Sequence, residues 1–140
     1  MEYDLNYCTI QHWDDDIALI EINDGIEIDA TMAAELIHIA NKELGSSFGI
    51  LSNRINSYSL SFDAMAALAN HENLAAVAIV VPSNKSRLLV DAQNFLISAI
   101  KKKPIKVFLD TTSATHWLKS TLQNKQNIPA TTRQGLKTEE

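Results

Sequence analysis

The sequence predicts an α/β domain: a mixed, mostly parallel five-stranded sheet with helices packed on it. Three observations carry this. Apolar strand-length runs alternate with amphipathic stretches in the order β-β-α-β-α-β-α-β-α, the pattern of a sheet covered by helices. Residues 75–81, Ala-Ala-Val-Ala-Ile-Val-Val, form an unbroken apolar run. That run suits a strand buried on both faces of a parallel sheet. Ala33, Leu36, Ile37, Ala40 and Leu44 recur at the spacing of one buried helix face.

The elements follow in order. Residues 3–11 read as a half-exposed first strand, Trp13-Asp14-Asp15-Asp16 as a polar turn, and residues 17–22 as a second strand. So short a connection joins antiparallel neighbours, because parallel ones need a long crossover. Asn23-Asp24-Gly25 breaks that strand. Asp29 is placed to cap a helix running to Leu44, and Gly45 suits its C-terminus. Residues 48–51 form the third strand, and residues 62–69 a short helix capped by Ser61. Pro82 stops the fourth strand, residues 75–81. Ser83 or Ser86 caps the next helix, reaching Ile100, with Leu88, Leu89, Ala92, Phe95, Leu96 and Ala99 as its stripe. Pro104 precedes the fifth strand, residues 105–109. Ser113 caps a last helix that buries Ala114, Trp117, Leu118 and Leu122 and turns Lys119 and Ser120 outward. Right-handed crossovers set the hand. Residues 1–122 are expected to form one domain and residues 123–140 a polar tail.

Composition narrows the function classes. The chain has 140 residues and a formal net charge of -5, which disfavours a nucleic-acid partner, since phosphate binding needs a basic surface. The one basic cluster, Lys101-Lys102-Lys103 with Lys106, reads as a helix end complementing its dipole. Met1-Glu2-Tyr3-Asp4 lacks the basic start and apolar core of a signal peptide. No apolar run approaches the roughly 20 residues of a membrane span. A single cysteine, Cys8, has no partner for an intrachain disulfide and fits a reducing compartment. A cytoplasmic location is the expectation.

Catalytic and metal signatures are missing. His12, His38, His71 and His116 stand at no recognised metal spacing. Asp14-Asp15-Asp16 lacks the glycine and distal glutamate of a calcium loop. Gly25, Gly45, Gly49 and Gly135 build neither a dinucleotide fingerprint nor a phosphate loop. No metal, no cofactor and no nucleotide hydrolysis are expected, and no serine nucleophile elbow can be written.

The candidate site is the polar loop between the third strand and the short helix: Asn53, Arg54, Asn56, Ser57, Tyr58, Ser59 and Ser61. It would lie at the carboxyl end of the sheet, where open α/β sheets place ligands and contacts. Its serines stand beside a helix start, whose free N–H groups favour an anion or a phosphate. Ser61 alone is also an ordinary N-cap. Tyr58 either folds inward or stands out as a contact, and is expected at least partly accessible. Arg54 pairs with a local carboxylate or steers an anion.

Order and landmarks together resemble the STAS domain, the SpoIIAA-like fold of bacterial anti-sigma-factor antagonists, and look closest to an uncharacterised bacterial branch of it. The resemblance rests on Ile22-Asn23-Asp24-Gly25, on Asn53-Arg54-Ile55-Asn56-Ser57-Tyr58, and on Val107-Phe108-Leu109-Asp110 leading into His116-Trp117-Leu118. It implies a regulatory domain whose serine, at the start of the helix after strand three, is phosphorylated by a partner kinase. Ser61 is the nearest match by position, but Leu60 stands where that signature has aspartate.

The first functional reading is therefore a small protein-interaction or regulatory module without catalysis, with an unknown protein partner and room for a homodimer at an open sheet edge. The alternative is a sensor or carrier for a hydrophobic small molecule or lipid. The third is an enzyme of unnamed chemistry.

Overall fold

Leu5, Asn6 and Tyr7 interrupt the expected first strand and divide it in two. The Leu5 N–H donates to the Cys8 carbonyl (2.8 Å), closing a tight turn. β1 (Glu2–Asp4) thereby folds back antiparallel on β2 (Cys8–Asp14). The computed structural model describes residues 2–56, 58–83, 90–91 and 103–127, the last three by backbone alone. After β2 come β3 (Ile17–Ile22), β4 (Glu27–Ile28), α1 (Ala30–Leu44), β5 (Phe48–Asn53) and β6 (Ser59–Leu60). Then follow α2 (Phe62–Asn70), β7 (Leu74–Val80), β8 (Ile105–Phe108) and α3 (Thr111–Asn127).

The main sheet has six strands in the order β1-β2-β3-β5-β7-β8, and β4 and β6 make a separate pair. Five strands were expected; the split at residues 5–7 supplies the sixth. β1, β2 and β3 are antiparallel, and β3, β5, β7 and β8 are parallel. The turn between β2 and β3 is shorter than expected. Trp13 and Asp14 belong to β2, and Asp15 takes a positive φ of 35°, which a short polar residue tolerates. His12 Nε2 meets the Asp15 carbonyl at 2.7 Å.

The helix signals mostly act as read. Asp29 accepts the Met32 N–H at 2.9 Å, and Gly45, at φ 90°, closes α1. Ala33, Leu36, Ile37 and Ala40 are buried, and Leu44 is half-buried. α3 differs. Asp110, not Ser113, is its cap: the carboxylate accepts the Ser113 N–H at 2.7 Å and the Ser113 hydroxyl at 3.1 Å. These bonds hold the exposed Asp110 carboxyl below its ordinary pKa. The cap lies three residues earlier because aspartate accepts the N3 amide directly. α3 also continues past Leu122 to Asn127. The expected helix from Ser83 or Ser86 to Ile100 lies outside the described residues, apart from helical Val90 and Asp91. Residues 128–140 of the expected tail lie outside them too.

Two apolar layers sandwich the sheet. Ile20, Ile22, Phe48, Ile50 and Leu74 pack toward α1 and α2. Ile17, Leu19, Leu51, Ala76, Ala78 and Val80 pack toward α3 through Ala114, Leu118 and Leu122. Alternation along each strand separates the sets. β2 shifts register between His12 and Asp14, and β7 also breaks step. Phe48 pairs with Leu74 but Gly49 with Ala76, so Ala75 is an extra residue. The bulge lets Leu74 and Val77 face the same side. Ile79 is half-buried and Val80 buried, as an interior strand requires. Gly49 admits the close approach of α3: a Cβ there would meet Leu118 Cδ2 at 3.1 Å and Leu122 Cδ1 at 3.3 Å.

Candidate functional site

The loop from Asn53 to Ser61 leaves β5 at the carboxyl edge of the parallel strands. Its side chains turn back onto the domain. Asn53 is the last residue of β5, and its Nδ2 donates to Glu21 Oε2 at 2.9 Å. The Arg54 N–H donates to the Val80 carbonyl at 2.8 Å, which extends the ladder to β7. Asn56 Nδ2 donates to the Ile22 carbonyl at 2.9 Å. Both asparagines thus tie the loop to the end of β3. Ser59 and Leu60 form β6 and pair in parallel with Glu27 and Ile28, a contact the polar composition of the loop concealed. Ser57 lies outside the described residues.

Tyr58 folds inward. It is only 9% exposed, against the expectation of accessibility. Its hydroxyl meets Ser52 Oγ at 3.0 Å. The Arg54 guanidinium lies over its ring at 4.3 Å and donates from Nη2 to the Tyr58 carbonyl. A cation–π contact and a hydrogen bond to the same residue close the loop upon itself. Arg54 pairs with this ring and carbonyl rather than with a carboxylate. Ser61 accepts the Ala64 N–H at 3.0 Å, so it is the N-cap of α2.

Large apolar side chains stand outside the loop and beside it, together with the exposed Ser59. Ile55 is 59% exposed and Phe62 60%. Leu109, which follows β8, is 50% exposed at the same carboxyl edge.

Behind the loop lies a cavity of about 70 Å3 between α2 and strands β5, β7 and β8. Ile50, Leu68, Val77 and Ile79 are among its apolar walls, and Ser52, Arg54 and Tyr58 stand in its polar part. Lys103 also lines it and donates from Nζ to the carbonyls of His71 (2.8 Å) and Leu74. Lys103 therefore places its charge on the C-cap carbonyl of α2 and ties that helix end to β7; Lys101 and Lys102 lie outside the described residues. Ser52 was missing from the sequence-based site. Its alternation with Phe48 and Ile50 along β5 is the signal that places it on the cavity face.

A second polar cluster joins α1 to the turn between β1 and β2. The Tyr7 hydroxyl donates to Glu35 Oε1 in a short bond, and burial with the neighbouring carboxylate raises its pKa. Burial, with Glu35 and Asp4 nearby, pushes the Cys8 thiol up to about 12. His71 stands edge-on to Phe48, and its Nδ1 accepts the Asn73 N–H at 3.3 Å. Among the described residues no three His, Cys, Asp or Glu side chains converge as metal ligands. Nor is any described helix long and apolar enough to cross a membrane.

No family model matches the chain. No curated protein matches it either. Among solved structures it is similar to a protein of the DUF3478 family from Shewanella loihica PV-4, described as uncharacterized with a SpoIIAA-like fold. The two share 17% identity at a TM-score of 0.53, over 84% of this chain and 98% of that one. That identity is too low to carry a role across, but the mostly parallel sheet with helices on both faces agrees in architecture. The chain has a SpoIIAA-like fold.

Proposed function

We propose that this chain is a regulatory protein-interaction module without catalysis, and that it docks its partner on the carboxyl edge of the sheet around Ile55, Phe62 and Leu109. The observation that carries the reading is the contrast within the loop. Asn53, Arg54, Asn56 and Tyr58 spend their polar groups on internal bonds, while Ile55, and Phe62 at the start of α2, face solvent. Exposed Ile and Phe beside a pinned backbone suit a docking surface, because little ordering entropy is lost on binding. Ser52 and Ser61 have their hydroxyls committed to Tyr58 and to the Ala64 amide, which leaves neither paired with a base. The neighbour's SpoIIAA-like fold supports the same class.

A carrier for a whole lipid is less well supported. Ligand pockets of drug size span about 300 Å3 and upward, against about 70 Å3 here.

The test compares wild type with an Ile55→Ser, Phe62→Ser double variant, each immobilised in extract of the native cell. A protein retained by wild type is purified and its affinity for both forms measured. The reading expects a loss of at least about tenfold in the double variant with unchanged Tm, as for removal of apolar anchors. Equal affinity for both forms would remove this edge as the docking surface.

A further inference from the structure

We propose that the cavity behind the loop binds a small amphipathic anion: a linear carboxylate of about four to six carbons, tail between α2 and the sheet, head at Arg54. The proposal does not depend on the docking reading.

Size comes first. A water needs about 10–15 Å3 of such volume, so about 70 Å3 admits about five to seven groups of that size. A methylene is of similar bulk. A short chain fits, and a long acyl chain does not. Chemistry comes next. Most of the walls are Ile, Leu, Val, Met and Ala side chains, the lining Lys103 has its ammonium on the His71 and Leu74 carbonyls, and apolar cavities take organic guests in preference to water. Inorganic phosphate or sulfate would find no apolar complement there.

Arg54 then selects the head. It lines the cavity and is half-buried. Its guanidinium carries five donors; one goes to the Tyr58 carbonyl. Among the described residues no carboxylate lies within ion-pair distance of it. Stacking on Tyr58 at 4.3 Å holds its plane in place, so the remaining donors are oriented in advance. A planar fork of this kind matches a carboxylate. The Ser52 and Tyr58 hydroxyls stand in the same wall. Tyr58 thus serves as a positioning residue, acting on the ligand through Arg54.

The full chain, labelled with 15N, is titrated separately with hexanoate, hexan-1-ol and acetate. Hexanoate should produce saturable amide shifts on β5, α2 and β7. It should bind at least about tenfold more tightly than hexanol, as expected of a charge-assisted bond, and more tightly than acetate, which lacks the tail. Arg54→Met keeps an apolar stem and removes the charge; it should abolish the preference for hexanoate over hexanol. Should that variant disturb the loop, Val77→Phe supplies an independent arm: it fills the cavity and should weaken hexanoate and hexanol together. Equal binding of hexanoate and hexanol to wild type would overturn the anion site. Absence of saturable shifts with either, or shifts confined to surfaces away from α2 and β7, would overturn the cavity as a binding site.

Discussion

The backbone N–H of Ser61 donates to the carbonyl of Ile28 across 2.9 Å. This bond continues the β4–β6 register and sets the starts of α1 and α2 side by side. Asp29, which caps α1, is next in the chain after Ile28; Ser61, which caps α2, is next after Leu60. Two helix N-termini, with their free amides and positive partial charge, therefore meet at one corner of the carboxyl edge.

Ser61→Ala removes the oxygen that accepts the Ala64 N–H and should cost about 1 kcal/mol. Ser61→Asp restores a capping oxygen but places its charge beside Asp29. Its stability should fall between wild type and Ser61→Ala, and rise with added salt as the repulsion is screened. Urea unfolding of the three proteins at low and high salt checks this. An Asp variant more stable than wild type and indifferent to salt would show that the two caps do not interact.

Tyr58→Phe deletes the hydroxyl bonded to Ser52 and leaves the ring under Arg54. The expected cost is about 0.5–1.5 kcal/mol. Tyr58→Ala, which also removes the ring, should cost distinctly more and loosen the loop. A double-mutant cycle with Arg54→Ala should give a coupling of about 0.5–1 kcal/mol or more for the stacked pair. Zero coupling would mean that Arg54 rests on the ring without energetic consequence.

Gly49→Val should destabilise the fold by about 1–3 kcal/mol through overpacking, because Leu118 and Leu122 close over the position. Gly49→Val with Leu118→Ala should recover part of that loss if the clash is local. Additive losses in the pair would point elsewhere for the strain.

The Cys8 thiol is fully buried and its pKa is raised from 9.0 to about 12. In the native protein it should resist thiol reagents at pH 8 and react at once in denaturant, since the thiolate is the nucleophile. The pH dependence has a definite sign. Below about pH 9 the thiol is protonated in both states and its contribution to stability is intact. Above that the unfolded chain loses its proton first, so stability falls as pH rises toward about 12. Tyr7, also raised, acts in the same direction from pH 10 upward. Cys8→Ala should flatten the first part of this decline, measured by urea unfolding from pH 8 to 10.5. An identical decline in the variant would assign it wholly to other groups.

Features dictated by local chemistry were legible in the residues alone. The α1 face, the Asp29 and Ser61 caps, the end of α1 at Gly45, and the bounds of β3 all follow from spacing and from side-chain bonds within a few residues. The parallel sheet followed from the apolar run now seen as β7. Tertiary structure alone decided three things. The first is the break at residues 5–7, where no glycine or proline marks the turn and pairing of β1 on β2 makes it. The second is the β4–β6 pair, whose partners stand 32 residues apart in register and carry no shared pattern. The third is the direction of Tyr58. Its loop looked like an exposed polar rim, yet the ring is drawn inward by Ser52 on β5 and covered by Arg54. Local sequence sets which conformations a segment can adopt; the partner that selects among them is distant in the chain, and its identity is settled only when the sheet assembles.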